Sequence, residues 1–174
     1  MKEINIQLKE PSVEYKESFL RALDEYTREG RSLDEGIAEP GDDFAAFVQS
    51  KKDESAGVNL KDGRVPQSTF WIVDGDGYAG RISIRHTLNE KLLKKGGHIG
   101  YGIIPSKRGQ GYATKALELM LPRARALDLK KVLLTCDSTN TASKKIIEGA
   151  GGFLENEIPG EDGMPSTLRF WIEL

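Results

Sequence analysis

The chain has 174 residues, 38% hydrophobic and 30% charged, with Lys plus Arg 25 against Asp plus Glu 27 and a formal net charge of −2. That describes one globular domain over residues 1–174, and the charge balance argues against a nucleic-acid partner held by bulk charge. One cysteine, Cys136, and two histidines exclude a disulfide framework and speak against a structural zinc site or other resident metal, and no apolar run approaches the roughly 18 residues of a membrane span.

In chain order, Ile4, Ile6 and Leu8 alternate like a half-buried strand, with no signal-peptide core around them. A cytoplasmic location is expected. From Val13 to Glu29, Tyr15, Phe19, Leu20, Leu23 and Tyr26 recur at helical spacing, and Gly30 is the stop. Residues 31–41 read as a loop. Asp42 or Asp43 caps a second helix with Phe44, Phe47 and Val48 on one face, and residues 51–66 read as an exposed connection. Ser68–Val73 and Tyr78–Thr87 form a hairpin about Asp74-Gly75-Asp76-Gly77. Glu90–Lys95 is a charged excursion, and His98–Pro105 a Gly-rich third strand of this group. Gly111–Leu127 is helical, with Pro122 expected to kink it or to leave the Glu118 carbonyl unpaired. Lys131–Cys136 is an apolar strand, Thr141–Gly149 a helix capped by Asn140, and Phe153–Ile158 and Leu168–Leu174 are closing strands. The hairpin followed by a strand–helix–strand unit implies an α+β domain with a mixed sheet and helices on both faces.

The stretch that carries chemistry is Ile103-Ile104-Pro105-Ser106-Lys107-Arg108-Gly109-Gln110-Gly111-Tyr112-Ala113. A strand ends in Pro, a basic turn with two glycines follows, and a helix begins. The first N–H groups of a helix have no internal partner and stand at the positive end of its dipole, so this is an anion cradle suited to a pyrophosphate. Lys107 and Arg108 bring charge to the same place. The Gly-Lys-Ser/Thr of a Walker loop is absent, and Thr114 stands where a dinucleotide fingerprint needs its third glycine. Read alone, the turn also fits a plain connection or a nucleotide-phosphate binder.

Arg108-x-x-Gly111-x-Ala113 resembles motif A of the GNAT superfamily of acetyltransferases, Arg/Gln-x-x-Gly-x-Gly/Ala. Asn140-Thr-Ala-Ser143, Ile147-Glu148 and Gly151-Gly152-Phe153 look like that family's Asn-x-x-Ala/Ser helix and following Gly-Phe. Arg85-His86-x-Leu88-Asn89 and Gly96-Gly97-His98-Ile99-Gly100-Tyr101 look like a bacterial group of predicted acetyltransferases. The resemblance implies a mostly antiparallel twisted sheet of about seven strands with a splayed parallel pair at its centre, here His98–Ile104 and Lys131–Cys136. It implies acetyl-CoA as donor. The amides of Arg108, Gly109, Gln110, Gly111, Tyr112 and Ala113 would hold the pyrophosphate. The main chain of Ile103 and Ile104 would pair with the pantetheine arm, with Gly100 and Gly102 suiting a bulge there, and Asn140 and Ser143 would face the cofactor from the other side. An N-acetyltransferase acting on a primary amine is the implied activity, without a metal; a non-catalytic CoA-binding regulatory module is the alternative. A homodimer is left open.

Many family members carry a Tyr on the last helix that protonates the leaving thiolate, and Ile147 stands at that place. Tyr101 and Ser143 are the candidate replacements. His98 is the candidate base, weighed against a hydrogen-bonded strand histidine, and His86 reads as a structural anchor. Cys136 reads as a buried small hydrophobe rather than a nucleophile, and Trp71 and Trp171 as core. Lys144 and Lys145 would touch the cofactor's 3′-phosphate or form a solvated face. The acidic segments 24–43 and 153–167, with Glu39 and Glu157 among their carboxylates, would border the acceptor cleft and favour a cationic amine, or are solvated loops.

Overall fold

The structure, a computed structural model, describes residues 4–30 and 39–174. In order these form β1 (Gln7–Lys9), α1 (Lys16–Glu29), α2 (Phe44–Ala56), β2 (Gln67–Asp74), β3 (Gly77–Arg85), α3 (Glu90–Lys94), β4 (Ile99–Ile103), α4 (Tyr112–Ala126), β5 (Lys131–Asp137), α5 (Thr141–Gly149), β6 (Phe153–Ile158) and β7 (Thr167–Glu173).

The stop and cap signals act as read. Gly30 closes α1 in the left-handed conformation at φ 73°, and the Asp43 carboxylate accepts the Ala46 N–H to start α2. Asn140 accepts the Ser143 N–H to start α5. Two segments expected as connections are helical. α2 continues to Ala56 because residues 51–56 contain no Gly or Pro, and Gln49–Asp53 and Lys51–Glu54 contacts tie successive turns. Asn89 caps α3 through the Leu92 N–H. α4 runs through Pro122 to Ala126.

The single mixed sheet is corrected to two antiparallel ones, ordered β1-β2-β3-β4 and β5-β7-β6. No parallel pair of β4 with β5 is present among the described residues. The two sheets touch where the His98 N–H donates to the Leu133 carbonyl at 2.7 Å. The cause lies in Gly96 and Gly97, at φ 115° and 62°, which turn the chain into β4. A Cβ on Gly97 would stand 2.4 Å from the Leu133 carbonyl oxygen, so the close approach needs glycine. The expected bulge at Gly100 and Gly102 is absent too, since the β3–β4 register runs unbroken from Gly80↔Ile103 to Ile84↔Ile99.

Alternation along the first sheet builds two cores. Ile72, Ile82, Ile84, Ile99 and Ile103 face Ala116, Leu117 and Met120 of α4. On the opposite face Trp71, Val73 and Tyr78 pack on Phe19, Ala22 and Tyr26 of α1 and on Phe44 and Val48 of α2. Phe19 alone has four aromatic neighbours within 5.5 Å between centroids, a rigid wall beside the site.

Candidate active site

The turn between β4 and α4 is held by acidic side chains from two other elements. Glu25 of α1 accepts both the amide and the hydroxyl of Ser106 at 3.0 Å. Lys107 lies between Asp74 at 2.8 Å and Asp76 at 2.7 Å on the β2–β3 turn, and the Tyr112 hydroxyl donates to Asp74 at 2.6 Å. Burial opposes ionisation of Asp74, but the hydrogen bonds from Lys107 and Tyr112 prevail and hold its carboxyl below the usual range. Arg108 pairs with Glu29, and its Nε donates to the Ile103 carbonyl. The two basic side chains expected at a pyrophosphate are therefore engaged with carboxylates.

The main chain is what remains. The Arg108 amide donates to Pro105, so it leaves the expected set. Gly109, Gln110 and Gly111 donate no backbone hydrogen bond among the described residues, and helix geometry leaves the Tyr112 and Ala113 amides without an intrahelical acceptor. Gly111, at φ 87°, precedes this first turn. A cavity of about 540 Å³ runs from these residues past Gly102 and Ile103 to Asn140, Ser143 and Ile146.

The β3–β4 ladder fixes which β4 groups face that space. Arg85 N–H donates to His98, and Ile104 N–H to Ala79. With the register given, the hydrogen-bonded positions are 98, 100, 102 and 104, so the main chains of Tyr101 and Ile103 point away from β3 toward β5. Ile104 is thus corrected as a pairing residue: its N–H is used within the sheet, and Tyr101 supplies the free edge in its place.

A second cavity of about 660 Å³ lies on the α2 side of the sheet, between β2–β4 and β5. Tyr101, Asn140 and Ser143 line both cavities. At that junction the Tyr101 hydroxyl and Ser143 Oγ are 2.8 Å apart. Burial pushes the Tyr101 hydroxyl up to about 12, against the lowering effect of Ser143, so it is protonated at neutral pH. Ile147 is buried in the core. Cys136 lines the larger cavity, but burial and then Asp137 raise its thiol pKa.

His98 lines neither cavity. Its Nδ1 accepts the Leu133 amide at 2.9 Å and its ring packs edge-on to Trp171. Burial, then Arg85, lower its pKa to about 4. The lone pair is occupied and the remaining ring nitrogen carries the proton, which is a poor arrangement for a base. The acidic walls are also elsewhere. Glu25 and Glu29 hold the turn, and Glu155 pairs with Arg169. No described carboxylate of segments 24–43 and 153–167 lines either cavity; Asp34 and Glu35 lie outside the described residues. The anchoring role of Asp74 and Glu25 had no sequence signal, because both partners are distant in the chain.

A family model described as an acetyltransferase (GNAT) domain matches residues 24–152. No curated protein matches the chain. Among solved structures, it is similar to the microcin C7 self-immunity acetyltransferase MccE in complex with acetyl-CoA and AMP, at 18% identity and TM-score 0.67, over 99% of this chain and 94% of that one. RimL, a ribosomal-protein α-N-acetyltransferase in complex with coenzyme A, matches at 16% identity and TM-score 0.70, over 99% and 96%. A GNAT-family acetyltransferase from Bacillus anthracis matches at 20% identity and TM-score 0.65, over 99% and 97%. At these identities the likeness is one of fold.

Proposed function

The chain belongs to the GNAT family of acetyl-CoA-dependent N-acetyltransferases, and from that premise we propose that it acetylates a primary amine at the junction of its two cavities, with Tyr101 and Ser143 as the proton-donating pair. The observation that carries this is the 2.8 Å contact of the two hydroxyls at the one place both cavities reach.

In this reading the amides of Gly109–Ala113 hold the pyrophosphate, and the β4 edge facing the gap, the Tyr101 main chain and the Ile103 N–H, pairs with the pantetheine arm. The neutral amine attacks the thioester carbonyl carbon, and the developing oxyanion faces a β4 N–H. The C–S bond then breaks. Tyr101 or Ser143 gives its proton to the sulfur, and the proton of the attacking nitrogen leaves through solvent in the larger cavity. A thiol pKa near about 8.5 makes the thiolate a tolerable leaving group, so the donor need only be close and protonated. His98 serves structure here.

The test is thiol release from acetyl-CoA over a panel of primary amines, with Tyr101→Phe alongside. The variant is expected to lower kcat by roughly 10²-fold with little change in acetyl-CoA affinity. Unchanged kcat removes Tyr101 from the chemistry. Affinity for acetyl-CoA without turnover on any amine returns the binding-module reading.

A further inference from the structure

An amine that attacks a thioester must give up a proton, and His98 lines neither cavity. Carboxylates are scarce there. The cofactor-side cavity has none in its described lining, and the larger cavity has two, Glu54 and Asp137. Glu54 stands on α2 and pairs with Lys51 at 3.0 Å. It also lines a neighbouring cavity of about 800 Å³ between α2 and α3, which neither Tyr101 nor Ser143 reaches. Asp137 does not line that neighbour, and it shares the larger cavity with Tyr101, Asn140 and Ser143.

Leu134, Thr135, Cys136 and Asp137 are successive residues of β5, and all four line the larger cavity, which therefore follows this strand to its end. Alternation sends Leu134 and Cys136 into the core beside α4, and Tyr101 packs against that same core. Thr135 and Asp137 face the other way. Thr135 Oγ1 accepts the Gly96 amide at 2.9 Å, and Asp137 pairs with the adjacent Lys95 at 3.3 Å. Tyr101 and Asp137 thus approach the gap between β4 and β5 from opposite faces. One tight turn ties Asp137 to Ser143: the Asn140 amide donates to the Asp137 carbonyl at 2.8 Å, and Asn140 Oδ1 accepts the Ser143 amide at 3.0 Å. The pair with Lys95 does not lock the carboxylate. The Asp137 and Lys95 side chains are 42% and 59% exposed, and ion pairs this open are weak, so an ammonium arriving in the cavity can take the place of Lys95.

We propose that Asp137 is a catalytic carboxylate of this site: it binds the acceptor's ammonium group in exchange for Lys95 and takes the proton that the attacking nitrogen loses. This rests on the acetyltransferase reading above and adds the residue that serves the amine. The acceptor docks as an ammonium and gives one proton to solvent before it attacks. The C–N bond forms, and the nitrogen becomes positive beside the carboxylate, which stabilises that charge. As the C–S bond breaks, the nitrogen's proton passes to Asp137, while the sulfur takes a proton from Tyr101 or Ser143 on the opposite face. Amide and thiol leave, and the two protein groups return to their starting states by exchange with water, to which the Asp137 side chain is open.

The experiment is steady-state kinetics with ethanolamine, putrescine and a short peptide with a free N-terminus, on the native chain, Asp137→Asn and Lys95→Gln. Asp137→Asn keeps the backbone carbonyl that closes the turn and alters one exposed contact, so acetyl-CoA affinity by calorimetry is expected to stay as in the native chain. For the amine that the native chain uses best, kcat/KM is expected to fall roughly 10²-fold in Asp137→Asn, with kcat lowered as well as KM raised. Lys95→Gln removes the competing cation and is expected to lower the amine KM about threefold without reducing kcat. An ion pair of structural value alone predicts the same loss from either variant. The proposal is overturned by a native kcat/KM or a lost acetyl-CoA affinity in Asp137→Asn, or by damage from Lys95→Gln equal to that from Asp137→Asn. A raised KM with native kcat in Asp137→Asn overturns the proton step, and no gain in Lys95→Gln overturns the exchange. Should no amine be acetylated while acetyl-CoA binds, the acetyltransferase reading fails by itself. Calorimetry with putrescine then decides the ammonium site: binding weaker in Asp137→Asn and tighter in Lys95→Gln supports it, and no binding, or binding equal in all three proteins, overturns it.

Discussion

His98 shows how one side chain can carry a catalytic signature and do structural work. Its position at the head of β4 suits a base, but its Nδ1 is committed to the Leu133 amide and burial holds its pKa at about 4. A free histidine titrates near about 6.5, so between those two values the unfolded chain binds the extra proton and the folded chain does not. This contribution to stability is complete above about pH 6.5, is lost as pH falls toward 4, and amounts to no more than roughly 3–4 kcal/mol. His98→Asn places an amide oxygen where Nδ1 stands and removes the titration. Urea midpoints measured at neutral pH and near pH 4.5 are expected to diverge more for the native chain than for the variant, while turnover stays of the same order. A loss of roughly 10²–10⁴-fold in turnover would instead make His98 the base.

Among the elements, the helices with strong stops and caps were legible from the sequence: Gly30, Asp43 and Asn140 act where expected. The last turns of α2 and all of α3 were not, because the former are polar and the latter spans only five residues, too few to show helical periodicity. The basic, Gly-rich turn before α4 was legible as a motif, but not what its charged side chains touch. Lys107 and Arg108 looked like ligands for phosphate, and in the fold they fasten the turn to Asp74, Asp76 and Glu29. That exchange makes Asp74 a positioning residue, since it holds Lys107 and Tyr112 together. Asp74→Asn keeps the size of the side chain and its turn-forming oxygen toward the Asp76 amide, but weakens both long-range contacts. CoA affinity by calorimetry is expected to fall about three- to tenfold in a folded protein, from loss of one or two charge-assisted hydrogen bonds at a partly exposed place. Unchanged affinity would show that the amides are positioned without this anchor.

At the scale of the whole molecule, the strands and the longer helices were legible, but not the division into two sheets that meet, among the described residues, at the His98–Leu133 backbone bond. Their junction depends on how Gly96 and Gly97 turn against Leu133, a contact between segments some 35 residues apart in the chain, and local pattern carries no such information. Its consequence is an edge inside the protein. The Gly100 and Gly102 main chains are spent on β3, while those of Tyr101 and Ile103 face the gap. A cofactor arm that pairs there completes the ladder as an added strand would. Ligand at about 100 times its Kd stabilises the folded state by about 2.7 kcal/mol, and every amide that exchanges through global unfolding slows accordingly. Tyr101 and Ile103 amides are expected to slow by more than this common factor, because acetyl-CoA also closes their local route to solvent, whereas Gly100 and Gly102 are expected to follow the common factor alone. Hydrogen exchange with and without acetyl-CoA, read at single-residue resolution, checks it. Equal protection of all four amides would mean that the arm does not pair with β4, and that the cofactor is held by the amides at the start of α4 and by side chains of α5 alone.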